Sequence, residues 1–288
     1  MSVKAAKAAK QAEIVHVPSS IMEGRPYGLL FFYAVFYLAF VYIPVLFLPL
    51  FSFNDSIYIA FPLKGFTFKW YEEMAKASGL LEALKNSLKV GGVVCFVSTM
   101  FGVLAAKAMT RYRFPAKGPI TGLIMLPFVV PGIILGIALL ILTYSMGLEL
   151  SLFTIGVSHV LLAVPFSMLV LISRMEGFDK NLEEASLDLG EGPWRTFWRV
   201  TFPLTLPGII ASLLLCFTVS FDEFILAFFL SGNEVTLPIY IWSQLRFPSK
   251  LPTVLALGAC IFVFSCFVVT FSEVMRRRGV QIKTASGV

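Results

Sequence analysis

Charged residues are scarce in this sequence. They make up 14% of the 288 residues, whereas 58% are hydrophobic, and soluble domains carry about 25% charged residues. This composition excludes an ordinary water-soluble globular protein and predicts a membrane protein with several spans. The net charge of +6 does not indicate nucleic-acid binding, because the basic residues are scattered at the ends of apolar runs rather than clustered.

The patterns of common catalytic and metal sites are also missing. The chain has no GxxxxGK[ST] phosphate loop, no HExxH and no GxSxG. Its four Cys residues lie in apolar runs without metal-ligand or CxxC spacing, so we interpret all four as small core residues. We therefore expect no catalytic residues, no metal and no cofactor. For His159, within an apolar run, a hydrogen bond between helices is favoured over a substrate contact.

Six apolar runs reach the roughly 20 residues that a membrane-spanning helix needs. They are residues 29–51, 86–109, 120–146, 152–173, 207–231 and 251–275. These runs predict an all-α membrane domain with six transmembrane helices over residues 29–275, between tails at 1–28 and 276–288. Prolines in or near the runs predict kinks. Small residues predict close helix approach; they are Gly91, Gly92, Gly132 and Gly136.

The distribution of Lys and Arg predicts the orientation of the chain. With the N-terminus inside, the inner segments hold sixteen of these residues and the outer segments hold seven. Both tails and the segment 182–207 are therefore expected in the cytoplasm. The long outer segment 52–85, with Trp70 and Tyr71, predicts a surface helix that acts as an interfacial anchor or as a lid.

Residues 182–207 form the longest polar-rich segment between apolar runs, and we call this segment the knob. Acidic residues near its start favour a helix N-terminus. Gly190, Gly192 and Pro193 then predict a break before a second short helix rich in Trp and Arg. Pro203 and Pro207 are expected to restart the chain before the next span. A helix, a turn and a helix at the membrane surface would suit docking on a partner.

The knob resembles the EAA loop of ATP-binding-cassette (ABC) importer permeases. Glu184-Ala185-Ser186 is followed after three residues by Gly190, and after nine further residues by Val200-x-Phe202-Pro203. Other elements are similar to the spermidine/putrescine (PotC/PotI-like) branch of this family. They are Arg111–Phe114, Ser158-His159, Arg174 with Gly177–Asp179, Ser220–Glu223 and Leu237–Tyr240. The resemblance extends over residues 29–278.

This resemblance implies the type I ABC importer permease fold, with a cytoplasmic EAA coupling helix, in a bacterial inner membrane. It also implies two copies of a cytoplasmic ABC ATPase that bind ATP, an external solute-binding protein, and a second permease subunit in a hetero- or homodimer. ATPase closure would drive alternating access. The candidate ATPase-coupling residues are Glu184, Ala185 and Gly190 from the motif, and Leu187, Leu189, Trp194 and Phe197 from their apolar pattern.

The residues expected on a substrate path lie in the last third of the chain. Asp222 and Glu223 are carboxylates within the predicted fifth span, where ionisable groups usually face a cavity or a partner. Because neighbours on a helix point about 100° apart, at most one is expected to face a given cavity. Asp222 has the alternatives of capping a helix break or pairing with Arg246. Tyr240 and Trp242 would sandwich a cationic solute or belong to an aromatic belt.

The sequence thus indicates the permease subunit of an ATP-driven importer of polyamines such as putrescine or spermidine. An importer permease for another small organic cation or an amino-acid-derived solute is the alternative. A self-sufficient secondary transporter is disfavoured, because such proteins more often show internal repeats around a midplane ion site.

Overall fold

The computed structural model describes the backbone of residues 27–285 and the side chains of residues 28–267 and 270. The predicted tail at 1–28 lies outside the described residues except for its last two positions, as do residues 286–288 of the predicted C-terminal tail. Within the described range there is no β-strand, only an isolated antiparallel bridge between Asn54 and Phe66. Five helices are long and apolar enough to cross a membrane, and a bent pair makes a sixth span.

Most of the long helices follow the predicted apolar runs and extend beyond them, and short helices lie between them. They are α1 (Tyr27–Ser52), α2 (Lys69–Lys76), α3 (Ser78–Arg111), α4 (Lys117–Val129), α5 (Gly132–Ser145), α6 (Leu152–Glu176), α7 (Asn181–Asp188), α8 (Pro193–Thr196), α9 (Phe202–Asp222), α10 (Ile225–Leu230), α11 (Leu237–Gln244) and α12 (Leu251–Ala285). A π-helical turn, Phe197–Thr201, joins α8 to α9, and a short 3₁₀ turn, Pro248–Lys250, precedes α12. The all-α architecture with six spans is confirmed, one of the six being bent.

Helices α3, α6 and α9 form the core of the bundle. Their shared seam combines buried aliphatic side chains with small polar ones. The hydroxyl of Ser212 on α9 lies 3.0 Å from that of Thr99 on α3 and 2.7 Å from that of Ser167 on α6. Because lipid tails are as apolar as leucine, close packing and hydrogen bonds of this kind hold membrane helices together.

Glycines allow the closest approaches between the helices. A Cβ added at Gly102 would lie 1.9 Å from the Ser167 hydroxyl oxygen, and one at Gly136 would lie 2.5 Å from the ring of Phe229. Gly91 and Gly132 also face neighbouring side chains, as predicted, but nothing lies within 4 Å of the Cβ position of Gly92. Gly102 makes the tightest of these contacts, although it was not among the glycines predicted to allow close helix approach.

Two predicted spans are interrupted. The run 120–146 forms α4 and α5, which meet at an angle of 103° around extended backbone at Val130 and Pro131. The run 207–231 was predicted as one helix, but α9 ends at Asp222 and α10 begins at Ile225. Proline explains the first break, since it removes a helical hydrogen bond. The second is stabilised by Glu223, whose carboxylate accepts the N–H groups of Ile225 and Leu226 at 2.9 and 3.1 Å.

The outer helices differ from the core in how little of their surface the chain covers. Helix α1 packs mainly against α12, and most of its aliphatic and aromatic side chains are exposed. A bilayer would cover such a surface. The prediction that all four cysteines are core residues is correct for Cys95 and Cys216 and wrong for Cys260 and Cys266, which are exposed on α12; all four are free thiols.

The segment between α1 and α3 is folded rather than a loose connection. The indole N–H of the buried Trp70 donates to the Asn54 carbonyl at 2.8 Å, and the hydroxyl groups of Ser52 and Tyr71 lie 2.6 Å apart. Helix α2 packs against α12. The predicted short helix in this segment is present, and its aromatic side chains tie the segment to the end of α1.

Candidate functional site

The knob is a compact helix-turn-helix at one end of the bundle. Helix α7 supplies its first half, and Gly190 turns the chain with a φ of +89°, a left-handed conformation that glycine adopts without steric cost. Helix α8 begins with Pro193 in its first turn and runs through the π-helical turn into α9. The chain is therefore continuously helical through both prolines: Pro203 lies in the first turn of α9, directly after the π-helical turn, and Pro207 lies within α9.

The tip of the knob presents apolar side chains to solvent. Leu189 is 87% exposed and Trp194 71% exposed, and Leu187 is also exposed. Glu184 and Ala185 of the EAA-like motif lie on the surface of α7, where Glu184 makes only an exposed ion pair with Lys180. Exposed large apolar groups rimmed by charged residues are typical of a protein–protein contact surface.

Phe197 differs from the other candidate contact residues. It is half-buried, and the Lys107 ammonium lies 4.7 Å from its ring centroid. Its ring also stacks on Trp194, with the centroids 6.3 Å apart. Phe197 therefore packs within the chain, between Trp194 of the knob and Lys107 near the end of α3.

A partly buried ion pair anchors the knob to the bundle. The Nε of Arg111, at the end of α3, donates to a carboxylate oxygen of Glu183 at 2.7 Å, and both side chains are only 12% exposed. The other carboxylate oxygen of Glu183 accepts the hydroxyl of Thr201. The guanidinium of Arg111 also donates to the Met175 carbonyl at 3.0 Å and lies over the ring of Phe178.

At the other end of α9, the two helix breaks face one another across a cavity of about 450 Å³. We call it the junction cavity. Gly132 at the start of α5 lies against Ile225 at the start of α10, so the two interrupted spans meet closely. Asp222 and Glu223 both line this cavity. The expectation that at most one would do so is wrong, because the helix ends between them and the 100° spacing no longer applies.

A second cavity of about 990 Å³ lies between α3, α9, α11 and α12. We call it the aromatic cavity. Its wall is almost entirely apolar, with Asp222 as its one carboxylate among the described residues and five large aromatic rings. The rings are those of Phe217, Phe221, Phe224, Trp242 and Phe264. Its volume lies at the upper end of the roughly 300–1,000 Å³ range of small-molecule sites.

The two carboxylates at the break have different environments. Glu223 is half-buried and spent on the N–H groups at the start of α10. Asp222 is exposed to both cavities and has no hydrogen bond or ion pair with any described residue. Arg246 does not pair with Asp222; its guanidinium lies 5.8 Å from the ring centroid of Trp242. Asp222 is therefore free to meet a cation.

The predicted aromatic sandwich is not formed. Trp242 lines the aromatic cavity, whereas Tyr240 packs on Gly79 and lines a separate small cavity of about 60 Å³. The two residues are two positions apart on α11, so their side chains point to nearly opposite sides. The prediction for His159 is confirmed: its Nδ1 lies 2.9 Å from the Ser220 hydroxyl of the neighbouring α9.

Across the described residues there is no cluster of His, Cys, Asp or Glu that would hold a metal ion. This arrangement is suited to binding rather than to catalysis. The unpaired Asp222 carboxylate beside aromatic faces attracts an organic cation by charge and by cation–π interaction. Sequence reasoning missed Glu183 and Thr201, which hold the knob. The neighbouring Glu184 matched the motif, and nothing local distinguishes the two glutamates.

Comparison with known proteins places these features in a family. The model of the family described as binding-protein-dependent transport system inner membrane component matches residues 98–279. The chain is 32% identical to the spermidine/putrescine transport system permease protein PotC of Escherichia coli (strain K12) over 240 residues, 83% of this chain and 90% of that protein. It is 31% identical to the putrescine transport system permease protein PotI of the same strain over 215 residues, 72% of this chain and 76% of that protein.

Solved structures show the same fold at lower identity. A chain of a bacterial alginate ABC transporter, in complex with an alginate pentasaccharide-bound periplasmic protein, matches with a TM-score of 0.66 and 18% identity, covering 88% of this chain and 93% of that chain. The MetNI methionine ABC transporter in inward-facing conformations matches with a TM-score of 0.55 and 17% identity, covering 74% of this chain and 99% of that chain.

Proposed function

Because this chain belongs to the family of binding-protein-dependent transport system inner membrane components, we propose that it is the permease subunit of an ATP-driven importer of polyamines such as spermidine and putrescine. The knob docks on a cytoplasmic ATPase, and closure of the ATPases on ATP moves the bundle between inward- and outward-open states. The chain binds no ATP and catalyses no reaction itself. Both termini and the knob lie on the cytoplasmic side of a bacterial inner membrane.

The observation that carries the docking proposal is the exposed apolar tip of an otherwise well-anchored knob. Leu189 and Trp194 project from a helix-turn-helix whose base is held to the bundle by the partly buried Glu183–Arg111 ion pair. A surface that is rigid underneath and apolar on top binds a partner at little entropic cost, because few side chains have to be ordered on binding.

The substrate class is supported by charge and by the named relatives. Asp222 is unpaired beside the aromatic wall of a cavity large enough for a linear alkyl-amine. In a partly dehydrated site, one carboxylate attracts an ammonium group far more strongly than in water. Any small organic cation would feel the same attraction, so cations other than polyamines are included in the test below.

The complex is proposed to contain two ATPase copies, a second permease subunit and an external solute-binding protein. The solved neighbour that carries a periplasmic protein supports the last of these as a kind of partner. A second permease, as a heterodimer partner, is proposed to form the path together with the aromatic cavity of this chain.

The test is a pull-down of the tagged chain from native membranes, followed by ATPase and uptake assays in proteoliposomes with a panel of polyamines, amino acids and other cations. We expect an ATPase and a second permease to copurify, and hydrolysis to rise with a polyamine-loaded binding protein. A complex stimulated by another solute would contradict the substrate class. A chain that purifies alone and takes up solute without ATP would overturn the importer proposal.

Variants of the knob test the docking step. Leu189→Glu places a charge at the tip and is expected to reduce copurification of the ATPase at least tenfold, equivalent to about 1.4 kcal/mol of binding. Leu148→Glu, an exposed leucine in the turn before α6, is the matched control and should leave copurification unchanged. Normal copurification with Leu189→Glu would contradict docking through the tip.

A further inference from the structure

We propose that Glu183 and Arg111 are positioning residues that lock the knob to the α3–α6–α9 core, so that the two move as one body. This inference rests on the proposed docking of the knob. It assigns to the pair a role in transmission, distinct from binding the ATPase: the knob's tip receives the force, and this pair, which we call the latch, passes it to the bundle.

The latch joins elements that are distant in sequence. Glu183 in α7 meets Arg111, 72 residues earlier at the end of α3, and Thr201, 18 residues later at the end of the π-helical turn. Arg111 in turn reaches the Met175 carbonyl at the end of α6. One carboxylate and one guanidinium therefore connect α7 to the ends of α3 and α6 and to Thr201, the residue directly before α9.

The π-helical turn makes this geometry possible. Each π turn accommodates one more residue than an α turn, and such turns are frequent at functional positions. Here the turn spans Phe197–Thr201 and ends on Thr201, the buried residue whose hydroxyl donates to Glu183. It also carries Phe197, which Lys107 of α3 covers. The distorted turn thus presents two contact residues to α3 and α7.

Shielding from solvent gives the latch its stiffness. Both side chains are only 12% exposed, and removing one partner of a largely shielded pair is costly, because it leaves the other charge uncompensated. Both oxygens of Glu183 have partners, and Arg111 also donates to the Met175 carbonyl and lies over the ring of Phe178. The adjacent Glu184–Lys180 pair is largely exposed, and such pairs contribute little to rigidity. Of the two adjacent glutamates, Glu183 is therefore the one that ties the knob to the bundle.

The test uses the reconstituted importer with Glu183→Gln, which keeps the shape of the side chain and removes its charge. We expect the ATPase to copurify as in the unmodified importer and ATP hydrolysis to stay within about twofold, while solute imported per ATP falls about tenfold. Glu82→Gln, an exposed glutamate of α3 outside both candidate sites, is the matched control and should leave this ratio unchanged.

A double substitution tests the pair rather than the residue. Arg111→Glu and Glu183→Arg should each lower the ratio of uptake to hydrolysis, and the two together should restore a measurable part of it. No recovery in a double variant that inserts and binds the ATPase normally would overturn the pairing role, as would an unchanged ratio in Glu183→Gln.

Spin-label distances provide a readout independent of uptake. With labels at Asp188 in the knob and Leu214 in α9, both exposed, and with the exposed Cys260 and Cys266 replaced, we expect one narrow distance distribution with and without ATP. Glu183→Gln should broaden it. If Glu183→Gln instead loses the ATPase, the residue belongs to docking and the latch is refuted. If the unmodified chain binds no ATPase, the proposed function fails, whereas the distance test of the latch still stands.

Discussion

The charged side chains near the two ends of α9 differ in whether they have partners. At the knob end, Glu183 is only 12% exposed and both of its oxygens have partners. At the cavity end, Asp222 borders two cavities and no described residue pairs with its side chain. A shielded charge with partners holds a structure together, whereas a charge without a partner at the end of a candidate span is costly to maintain and usually serves a ligand.

The small side chains between the two ends follow the same division. Near the knob end, Gly102 and Ser167 bring α3 and α6 into direct contact, and the seam hydroxyl groups bond one another. Toward the cavity end, the helices separate around the aromatic cavity, and two of the spans are interrupted. The α3–α6 seam is thus closely packed, whereas the breaks in the two interrupted spans border cavities.

The largest expected effect comes from breaking the closed half with Gly102→Leu. A side chain at this position would collide with Ser167 and force α3 away from α6, at a cost of about 3 kcal/mol or more. We expect loss of folded protein, measured as monodisperse yield and thermal stability in detergent. Gly92→Leu, where nothing lies within 4 Å of the Cβ position, should be tolerated.

A compensating pair sharpens this prediction. Gly102→Ala alone should be destabilising, and Gly102→Ala with Ser167→Gly should recover much of the loss, because the colliding hydroxymethyl group is then absent. Ser212 keeps its contact with Thr99 in the double variant. Equal stability of the Gly102→Leu and Gly92→Leu variants would refute the tight seam.

The proposed role of Asp222, which is to attract a cationic solute to the aromatic cavity, is tested by Asp222→Asn. Uptake of a polyamine is expected to fall about 100-fold, because the attraction in a low-dielectric site is lost. The thermal stability of the protein should not decrease, since the carboxylate has no partner among the described residues. Glu223→Gln is the contrasting variant: its side-chain oxygen still accepts the N–H groups at the start of α10, so uptake should change little.

Comparing stability with uptake in these variants decides between a ligand site and a structural role. If Asp222→Asn lowers stability and uptake together, the carboxylate is structural and the contrast between the two ends of α9 disappears. Unchanged uptake with unchanged stability would remove Asp222 from the substrate path.

The sequence predicted the architecture because hydrophobic length is a local property. Each of the six apolar runs is long enough to cross a bilayer. In the knob, Gly190 of the motif marks the turn. Pro131 indicated a break in the third span. The bend of 103° between α4 and α5, however, depends on how α5 packs on α10. The break after Asp222 contains neither Gly nor Pro, and it was predicted only as one alternative for Asp222, whereas the carboxylate that caps α10 is that of Glu223.

The latch was equally invisible for a physical reason. Glu183 and Glu184 are identical, adjacent residues, and what separates them is the rotation of α7 relative to Arg111, which is 72 residues away from Glu183. Likewise, Tyr240 and Trp242 looked like one pair, yet the side-chain direction on α11 sends them to different cavities. Patterns identified the segments, and tertiary register decided which side chain of each segment is used.

The smallest expected effect is that of Trp242→Ala, which sharpens the picture of the cavity end. The indole is one of several aromatic faces on the cavity wall and already has Arg246 nearby. A cation–π contact of this kind contributes about 1 kcal/mol, so we expect the half-saturating solute concentration for uptake to rise about fivefold with little change in the maximal rate.

Two companion variants separate the possible reasons for such a shift. Tyr240→Ala, with its ring on Gly79 and outside the aromatic cavity, should leave half-saturation unchanged. Arg246→Gln removes the cation that competes for the Trp242 ring and should lower the half-saturating concentration slightly. If Tyr240→Ala shifts half-saturation as much as Trp242→Ala, the effect arises from α11 as a whole, and the aromatic wall has no specific part in binding the solute.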